Sequence, residues 1–262
     1  MKIIVCIKQV LATGRIKFES KSHTLVRKTE NSYINPNDLY AIQMAVQLKE
    51  KYGGKITAIT MGPSVSEEVL HEAIAMGVDQ GLLLTDPRFA GADTLATSYV
   101  LAKGILSIGE FDVILCGAES TDSGTGQVGP QLAEQMDLPQ VVGVKKVEKK
   151  GNSLRLMRTS DGFLEVIEAP LPVLITISRE AGFPQLPSLL DIQQAYINSK
   201  IDLAALEDLD VGENKVGLSG SGTWVTELTQ VFKKKKCTFI DGDQRQQART
   251  LIEKFIEKDL IG

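Results

Sequence analysis

Six residues near the middle of the chain carry the strongest chemical signal in the sequence. Gly124 to Gly129 read G-T-G-Q-V-G and fit G-x-G-x-x-G, the glycine fingerprint with which dinucleotide-binding folds approach a pyrophosphate. In the Rossmann fold this fingerprint directly follows the first strand. Here the first predicted strand runs into Gln9-Val10-Leu11, and the glycines follow a fourth strand. Glu148 stands near the spacing of the ribose-binding acid, but after a strand typical of a hairpin. We therefore expect a phosphate loop of another kind.

The residues around the fingerprint suit a phosphate group. Ser123 to Gly126 are small, so backbone N–H groups can approach an anion, and the helix predicted to follow directs its positive end there. Asp122 could accept a hydrogen bond from a ribose hydroxyl or could cap the turn. A Walker A loop is excluded because no Gly-Lys-Ser/Thr occurs. A well-capped surface loop without a ligand is the alternative.

Other reactive residue types are sparse. The three cysteines lie far apart without a C-x-x-C pair, and the chain has two histidines, so a zinc site or a Cys/His pair has little material. No catalytic acid, base or nucleophile is predicted. The odd cysteine count and the absence of a signal peptide lead us to expect a cytoplasmic protein.

Composition excludes further classes of protein. A net charge of -4 with 5% aromatic residues argues against a nucleic-acid binder. The basic run Lys233 to Lys236 is interpreted as a solvated edge, with an anion site as the alternative. No stretch approaches the ~18–20 apolar residues of a membrane span.

Alternating strands and helices are predicted over the first half of the chain. Near-continuous apolar runs predict buried strands at 1–9, 55–62, 81–85 and 111–117. Helices are predicted from Asn35-Pro36-Asn37 to Gly53-Gly54, from a Ser64/Glu67 capping box to Gly77, from a cap at Asp93 or Thr94 through Leu101, and over 126–136. This order predicts an α/β fold with a mostly parallel sheet, helices on both faces, and ligands at the carboxyl ends of the strands.

The pattern changes after Leu138-Pro139. Four strand-like runs at 141–148, 153–160, 163–169 and 172–178 predict antiparallel hairpins that finish the sheet. A loop-rich segment and an acidic linker follow, and a last amphipathic helix is predicted from about Asp243. We expect a nucleotide-binding domain over 1–195 and, over 196–262, a linker and an extended C-terminal arm. That arm is too thin to fold alone and would pack on the main domain or on a partner.

Several motifs together resemble one family. The run "GAESTDSGTGQVGPQLAE" after the strand "DVILC" resembles the nucleotide loop of the beta subunit of electron-transfer flavoproteins. "MKIIVCIKQV", "NPNDLYAIQMAVQLKEKYGGKITAITMGP", "HEAIAMGVDQGLLLTD" and "VGLSGSGTWV" resemble other segments of that family in the same order, from Met1 to about Trp224. The resemblance implies a fold of the adenine-nucleotide α-hydrolase type and a heterodimer whose alpha subunit carries the electron-transferring FAD.

The same resemblance implies a nucleotide in this chain. In one branch of the family it is AMP with a structural role, and in the other it is a second FAD that takes hydride from NADH and splits the electron pair, which is called bifurcation. The implied contacts are Cys6, Asn35, Asp38, Met61, Gly62, Cys116, Gly117, and the loop residues Asp122, Ser123, Gly124, Thr125, Gly126, Gln127 and Val128.

The segment "RFAGADTLATSYVLA" (88–102) resembles the FAD branch, in which Asp93, Thr94 and Thr97 would lie beside the flavin ring. A plain helix cap would explain Asp93 equally well. The sequence departs from the branch at 118–121, where Ala-Glu-Ser-Thr replaces Arg-Gln-Ala-Ile. We expect FAD, with AMP as the alternative, and NADH as a possible electron donor.

The segment 178–195 stands at the position of the family's recognition loop, which docks a partner flavin-dependent dehydrogenase, acyl-CoA dehydrogenases being one class of candidate. Its usual Asn-Glu-Pro-Arg-Tyr is replaced by Ala-Gly-Phe-Pro-Gln at 181–185. Phe183, Leu186 and Leu189 are candidate anchors for a partner pocket, and cover for the sheet edge is the alternative. A stand-alone nucleotide sensor of the universal-stress type is the distant rival, since it would need neither this loop nor a long arm.

Overall fold

Nine strands of the chain form one sheet. The computed structural model describes residues 1–11, 17–19, 24–26, 32–226 and 237–261, so the basic run Lys233 to Lys236 lies outside the described residues. The strands are β1 (Lys2–Cys6), β2 (Gln9–Leu11), β3 (Lys17–Glu19), β4 (Thr24–Val26), β5 (Ser32–Ile34), β6 (Lys55–Met61), β7 (Gln80–Leu84), β8 (Val113–Gly117), β9 (Gln140–Lys150), β10 (Ser153–Ser160), β11 (Phe163–Pro170), β12 (Val173–Ile177) and β13 (Ile201–Ala204).

The described helices include the five predicted from the sequence and two, at 189–198 and 217–220, that lie where loop and arm were predicted. They are α1 (Pro36–Tyr52), α2 (Glu67–Ala75), α3 (Thr94–Ile108), α4 (Val128–Gln135), α5 (Leu189–Asn198), the single turn α6 (Gly217–Gly220) and α7 (Gln244–Glu257). The predicted capping box at Ser64 is wrong, because Ser64–Ser66 form a 3-10 turn and Ser66 precedes α2 without a side-chain cap. None of the helices in the described residues is long and apolar enough to cross a membrane.

The sheet order is β11-β10-β9-β12-β8-β1-β6-β7-β13. Pairing is parallel from β9 through β13, and only β9, β10 and β11 pair antiparallel to one another. The α/β prediction with a mostly parallel sheet is therefore confirmed. The assignment of the run 172–178 to a terminal hairpin is wrong, because β12 is an interior parallel strand between β8 and β9. Its five residues are all buried, as an interior parallel strand requires.

The predicted linker contributes the last strand of the sheet. β13 lies within the segment expected to be arm, yet it pairs in parallel with β7 from Ile201 to Ala204. The chain divides by its internal contacts into one unit over Met1–Thr226 and a second over Glu227–Gly262, later than the expected boundary at residue 195. In the second unit, Asp243 caps α7 through the backbone N–H groups of Arg245 and Gln246.

Helices cover both faces of the sheet, as predicted. α1 and α2 pack with one core cluster, which includes Ile3 and Val5 of β1. α3 and α4 pack with the other, which includes Ile4 and Cys6 of the same strand. β1 and β8 are neighbours, but the chain leaves β1 for α1 on one face and leaves β8 for α4 on the other. Such a reversal opens a crevice at the carboxyl ends of the two strands, where ligands of open α/β sheets bind.

Candidate functional site

The crevice has two buried cysteines at its base. Cys6 and Cys116 end β1 and β8 in register with each other, and both are buried. A hydrogen bond to Cys6, together with burial, raises the pKa of the Cys116 thiol. These thiols are part of the core against α3 and α4. Within the described residues no group of three potential metal ligands occurs.

Asp38, in the first turn of α1, lies buried between the two strand ends. Its carboxylate accepts the backbone N–H of Lys8 at 2.8 Å and the side-chain amide of Asn35 at 2.9 Å, and the backbone of Gly117 lies against it. Burial raises the pKa of Asp38 to about 7, against the opposing effect of these donors and of the Lys8 charge. Asn35 and Asp38 were both expected to contact the nucleotide. In the structure their side chains instead bind groups of the protein itself.

Two asparagines hold the segment that follows β8. The side-chain amides of Asn35 and Asn37 both donate to the carbonyl oxygen of Glu119, at 2.9 and 2.7 Å. The carbonyl of the Asn35 side chain accepts the backbone N–H of Thr121 at 3.1 Å, and Arg179 donates to Asn37 at 2.7 Å. Asn37 and Arg179 were not predicted from sequence. The segment between β8 and α4, residues 118–127, is called the glycine loop. The start of α1 thus fixes the beginning of this loop.

The glycine loop itself is open to solvent. Gly124 and Gly126 have φ of 61° and 63°, a left-handed conformation that favours glycine. The amide of Gly124 donates to the carbonyl of Ser120 at 2.7 Å. Within the part of the chain that the structure describes, the amides of Thr125 and Gly126 have no acceptor. The amides of Val128 and Gly129, in the first turn of α4, have no intrahelical partners. The loop therefore presents free N–H groups to an anion.

Lys8 lies beside this loop, and sequence reasoning missed it. Its ammonium donates to Asp122 at 2.6 Å and to the Ser120 hydroxyl at 3.4 Å. Burial acts to raise the pKa of Asp122, but Lys8 and the hydroxyls of Ser120 and Ser123 outweigh it, so the pKa is lowered. Asp122 is therefore held ionised at the loop. Because Lys8 lies inside the strand predicted over 1–9, no local pattern marked it as a neighbour of the loop.

Asp93 has its carboxylate fully engaged within the protein. One oxygen caps α3 through the backbone N–H groups of Leu95 and Ala96, at 2.9 and 3.0 Å. The other oxygen accepts the backbone N–H and the hydroxyl of Thr223, at 2.9 and 3.0 Å. Burial acts to raise the pKa of Asp93, yet these bonds lower it overall. Asp93 is a helix cap that also holds residues near the end of the main unit.

The remaining predicted residues lie around the crevice at different distances. The Thr94 hydroxyl donates to the side chain of Gln127 at 3.2 Å, which joins the start of α3 to the glycine loop. Thr97 lies one turn further along α3 and is half-buried. Met61 ends β6 and Gly62 follows it, on the side of β1 opposite to β8. A Cβ on Gly62 would lie 2.3 Å from the Ser66 hydroxyl.

The predicted docking residues are almost fully exposed. Phe183, Leu186 and Leu189 have 94%, 82% and 85% of their surface accessible, so they do not cover the sheet edge. The segment is held by the amide of Gln185, which donates to the Gln43 side chain at 2.8 Å. Their role in docking stays a prediction.

Comparisons with known proteins agree with one another. A family model described as the electron transfer flavoprotein domain matches residues 22–196. The chain is 40% identical over 261 residues to the electron transfer flavoprotein subunit beta of Thermoanaerobacterium thermosaccharolyticum, with 100% of each chain covered. It is 35% identical over 268 residues to the acryloyl-CoA reductase electron transfer subunit gamma of Anaerotignum propionicum, again with 100% of each covered. Over 263 residues it is 35% identical to the caffeyl-CoA reductase-Etf complex subunit CarD of Acetobacterium woodii, at the same coverage.

Proposed function

Because the chain belongs to the electron transfer flavoprotein family, in which it is a beta subunit, we propose that it binds FAD in its own domain and passes electrons to a second FAD in an alpha subunit. A flavin-dependent dehydrogenase of the acyl-CoA type is the proposed further partner. Two relatives bear the names of acryloyl-CoA and caffeyl-CoA reductase subunits, which supports that choice.

The free amides of the glycine loop carry the nucleotide part of this proposal. The N–H groups of Thr125 and Gly126 have no acceptor among the described residues, and the loop lies at the reversal point of the sheet. A Cβ on Gly126 would lie 3.4 Å from the Ala118 carbonyl, so a larger residue would tighten the loop. The Lys8 ammonium beside it supplies positive charge. These residues fit a pyrophosphate.

The start of α3 supports FAD as the nucleotide. The bond between Thr94 and Gln127 places this helix start against the glycine loop, so a long ligand could reach both. The resemblance of residues 88–102 to the FAD branch points the same way. Bound FAD would supply the ring that accepts and donates electrons, and this chain would hold and orient it. We further propose NADH as the electron donor and bifurcation as the outcome, on that same resemblance.

AMP is the second candidate ligand, and the contacts of Asp93 favour it. Both oxygens of its carboxylate already accept bonds from α3 and from Thr223. Ala118 stands where the FAD branch has arginine, and Glu119, exposed near Gly124, adds a negative charge beside it. With AMP, the chain would be a binding and docking subunit whose alpha partner holds the redox flavin.

A nucleotide count on the complex co-expressed with its alpha subunit tests the proposal. Nucleotides are released with acid, separated by chromatography and counted per complex. Two FAD would support the proposed function, one FAD with one AMP would replace it by the second candidate, and one FAD alone would contradict both.

Two glycine variants locate the bound nucleotide. Gly126→Ala strains a left-handed residue in the loop and should lower the second nucleotide while one FAD per complex remains as the internal reference. Gly109→Ala is the matched control, because Gly109 also has a positive φ, of 101°, but lies before β8 at the other end of the sheet. Equal nucleotide loss from both variants would place the ligand elsewhere.

A further inference from the structure

The contacts of one buried carboxylate connect both strand ends to the glycine loop. We propose that Asp38 is a positioning residue: it joins the carboxyl ends of β1 and β8 and, through Asn35, holds the glycine loop in the shape that receives the nucleotide phosphates. This inference rests on the proposed function for the identity of the ligand. It assigns Asp38 to the support of the site, not to contact with the ligand.

The oxygens of Asp38 are directed at the protein and away from solvent. The residue is 5% exposed, its carboxylate accepts the Lys8 amide and the Asn35 side chain, and the Gly117 backbone lies against it. These groups come from three separate segments: the exit of β1, the start of α1 and the end of β8. A single buried side chain therefore contacts all three segments and fixes them relative to one another.

Asn35 continues this connection into the loop. Its amide donates to Asp38 and also to the carbonyl of Glu119, and its carbonyl accepts the amide of Thr121. Each side-chain group of Asn35 is thereby oriented, and the path from Asp38 to the loop consists of two hydrogen bonds. A site held by such supporting contacts keeps the geometry that its ligand needs.

Gly117 leaves the space that the Asp38 carboxylate occupies. A Cβ at position 117 would lie 2.2 Å from an oxygen of Asp38 and 2.8 Å from the carbonyl carbon of Asn37. Only glycine lets α1 approach β8 closely enough for the contact. Glycine at the end of β8 and aspartate in the first turn of α1 therefore form a complementary pair.

The opposite end of the same strands provides a matched control. The Asp112 carboxylate accepts the backbone N–H of Lys2 at 2.7 Å, so it also joins β8 to β1, but at their amino ends. Among the described residues the hydrogen bonds of Asp112 go to Lys2 and Val173, and none goes to the glycine loop. Asp38→Asn and Asp112→Asn each neutralise one carboxylate between the same two strands, and only the former lies on the path to the glycine loop.

The experiment measures binding of ADP-ribose and AMP to the nucleotide-stripped complex with the alpha subunit, with hydrogen exchange over residues 117–121. For Asp38→Asn we expect affinity for both ligands to fall about 10- to 100-fold, with faster exchange in that segment. Asp112→Asn should retain wild-type affinity and exchange. If Asp38→Asn does not fold, Asn35→Ala cuts the same path one step nearer the loop and should give the same result.

The outcomes separate this inference from the proposed function. Wild-type binding with unchanged affinity in Asp38→Asn, or an equal loss in Asp112→Asn, overturns the positioning role alone. A wild-type complex that binds neither ligand overturns the proposed function and this inference with it. Loss of affinity confined to Asp38→Asn, or to Asn35→Ala in its place, supports the positioning role.

Discussion

The two ends of the β1–β8 pair use similar residues to different effect. At the amino end, Asp112 accepts the Lys2 amide, and the Lys2 ammonium pairs with Glu110 at 2.8 Å in full contact with solvent. An open groove of about 380 Å³ lies there, lined by Met1, Lys2, Gly54, Lys55, Glu110, Phe111 and Asp112. At the carboxyl end, Asp38 and Asn35 are buried, and Asn35 holds the start of a loop with free amides.

The difference shows that a groove does not by itself make a site. The groove at the amino end is bordered by solvated charges, and exposed ion pairs of this kind contribute little. At the carboxyl end a smaller set of polar groups has been removed from water and oriented by several partners. The reversal of helix direction between β1 and β8 places free backbone amides there. The four predictions below test this comparison.

The pH dependence of stability should separate the two ends most strongly. Burial raises the pKa of Asp38 to about 7 from its ordinary 3.8, so between these values the native state binds more protons than the unfolded chain. The contribution of Asp38 to the free energy of unfolding is therefore largest below about pH 4. It declines as the pH rises to about 7 and stays constant at higher pH. The decline is at most about 4 kcal/mol.

Urea unfolding of the complex at a series of pH values measures this effect. The difference in free energy of unfolding between wild type and Asp38→Asn should fall between about pH 4 and 7. Asp112→Asn should show the same decline as wild type, because its Asp38 is intact. A difference that stays constant from pH 4 to 8 would contradict the raised pKa of Asp38.

Gly117→Ala should destabilise the packing of α1 against the carboxyl end of β8. Its Cβ would meet Asp38 at 2.2 Å, and relieving such overpacking costs about 1–3 kcal/mol. Gly222→Ala is the control, because its Cβ would meet Leu95 at 3.7 Å and Asp93 at 3.8 Å, both ordinary contact distances. Denaturant unfolding checks the pair, and equal stability of the two variants would show that α1 can shift away from β8 freely.

Asp93→Ala should lose both the cap of α3 and the contact with Thr223. Loss of a cap costs about 1 kcal/mol, and hydrogen exchange at the Thr223 amide should become faster. Asp243→Ala removes the same kind of cap from α7 and should leave Thr223 unchanged. A shifted flavin spectrum in Asp93→Ala would instead place this carboxylate at the ring.

Lys8→Met should have the smallest effect, and on binding alone. The Lys8 side chain is 43% exposed, so we expect ADP-ribose affinity to fall only about 2- to 5-fold, with a weaker dependence on salt. Lys2→Met, at the amino end, should not change affinity. Titrations at two salt concentrations measure both variants, and an equal response would remove Lys8 from the site.

Prediction from sequence succeeded where local pattern and burial coincide. Near-continuous apolar runs marked β1, β6, β7 and β8, since parallel strands bury both faces. The same criterion could not place β12, because a buried hairpin strand and an interior parallel strand have the same composition. β13 was missed since it is four residues long with only Ala204 buried.

In the candidate site, too, local features could be predicted from the sequence and long-range partners could not. The positive φ of Gly124 and Gly126 and the cap at Asp93 follow from local sequence, because backbone sterics and helix ends are local properties. The partners of those residues do not. Lys8 and Asp122 are 114 residues apart in the chain, and Asp93 and Thr223 are 130 apart.

The sequence by itself determined the alternation of strands and helices, the parallel character of the sheet and the position of the glycine loop. Only the tertiary structure decided which strand ends meet at that loop and which polar groups they bury. Hydrophobic periodicity acts within one element, whereas the partners of Asp38 come from separate segments that the sheet brings together. Its burial, and with it the raised pKa of its carboxyl, exists only once β1, α1 and β8 are packed.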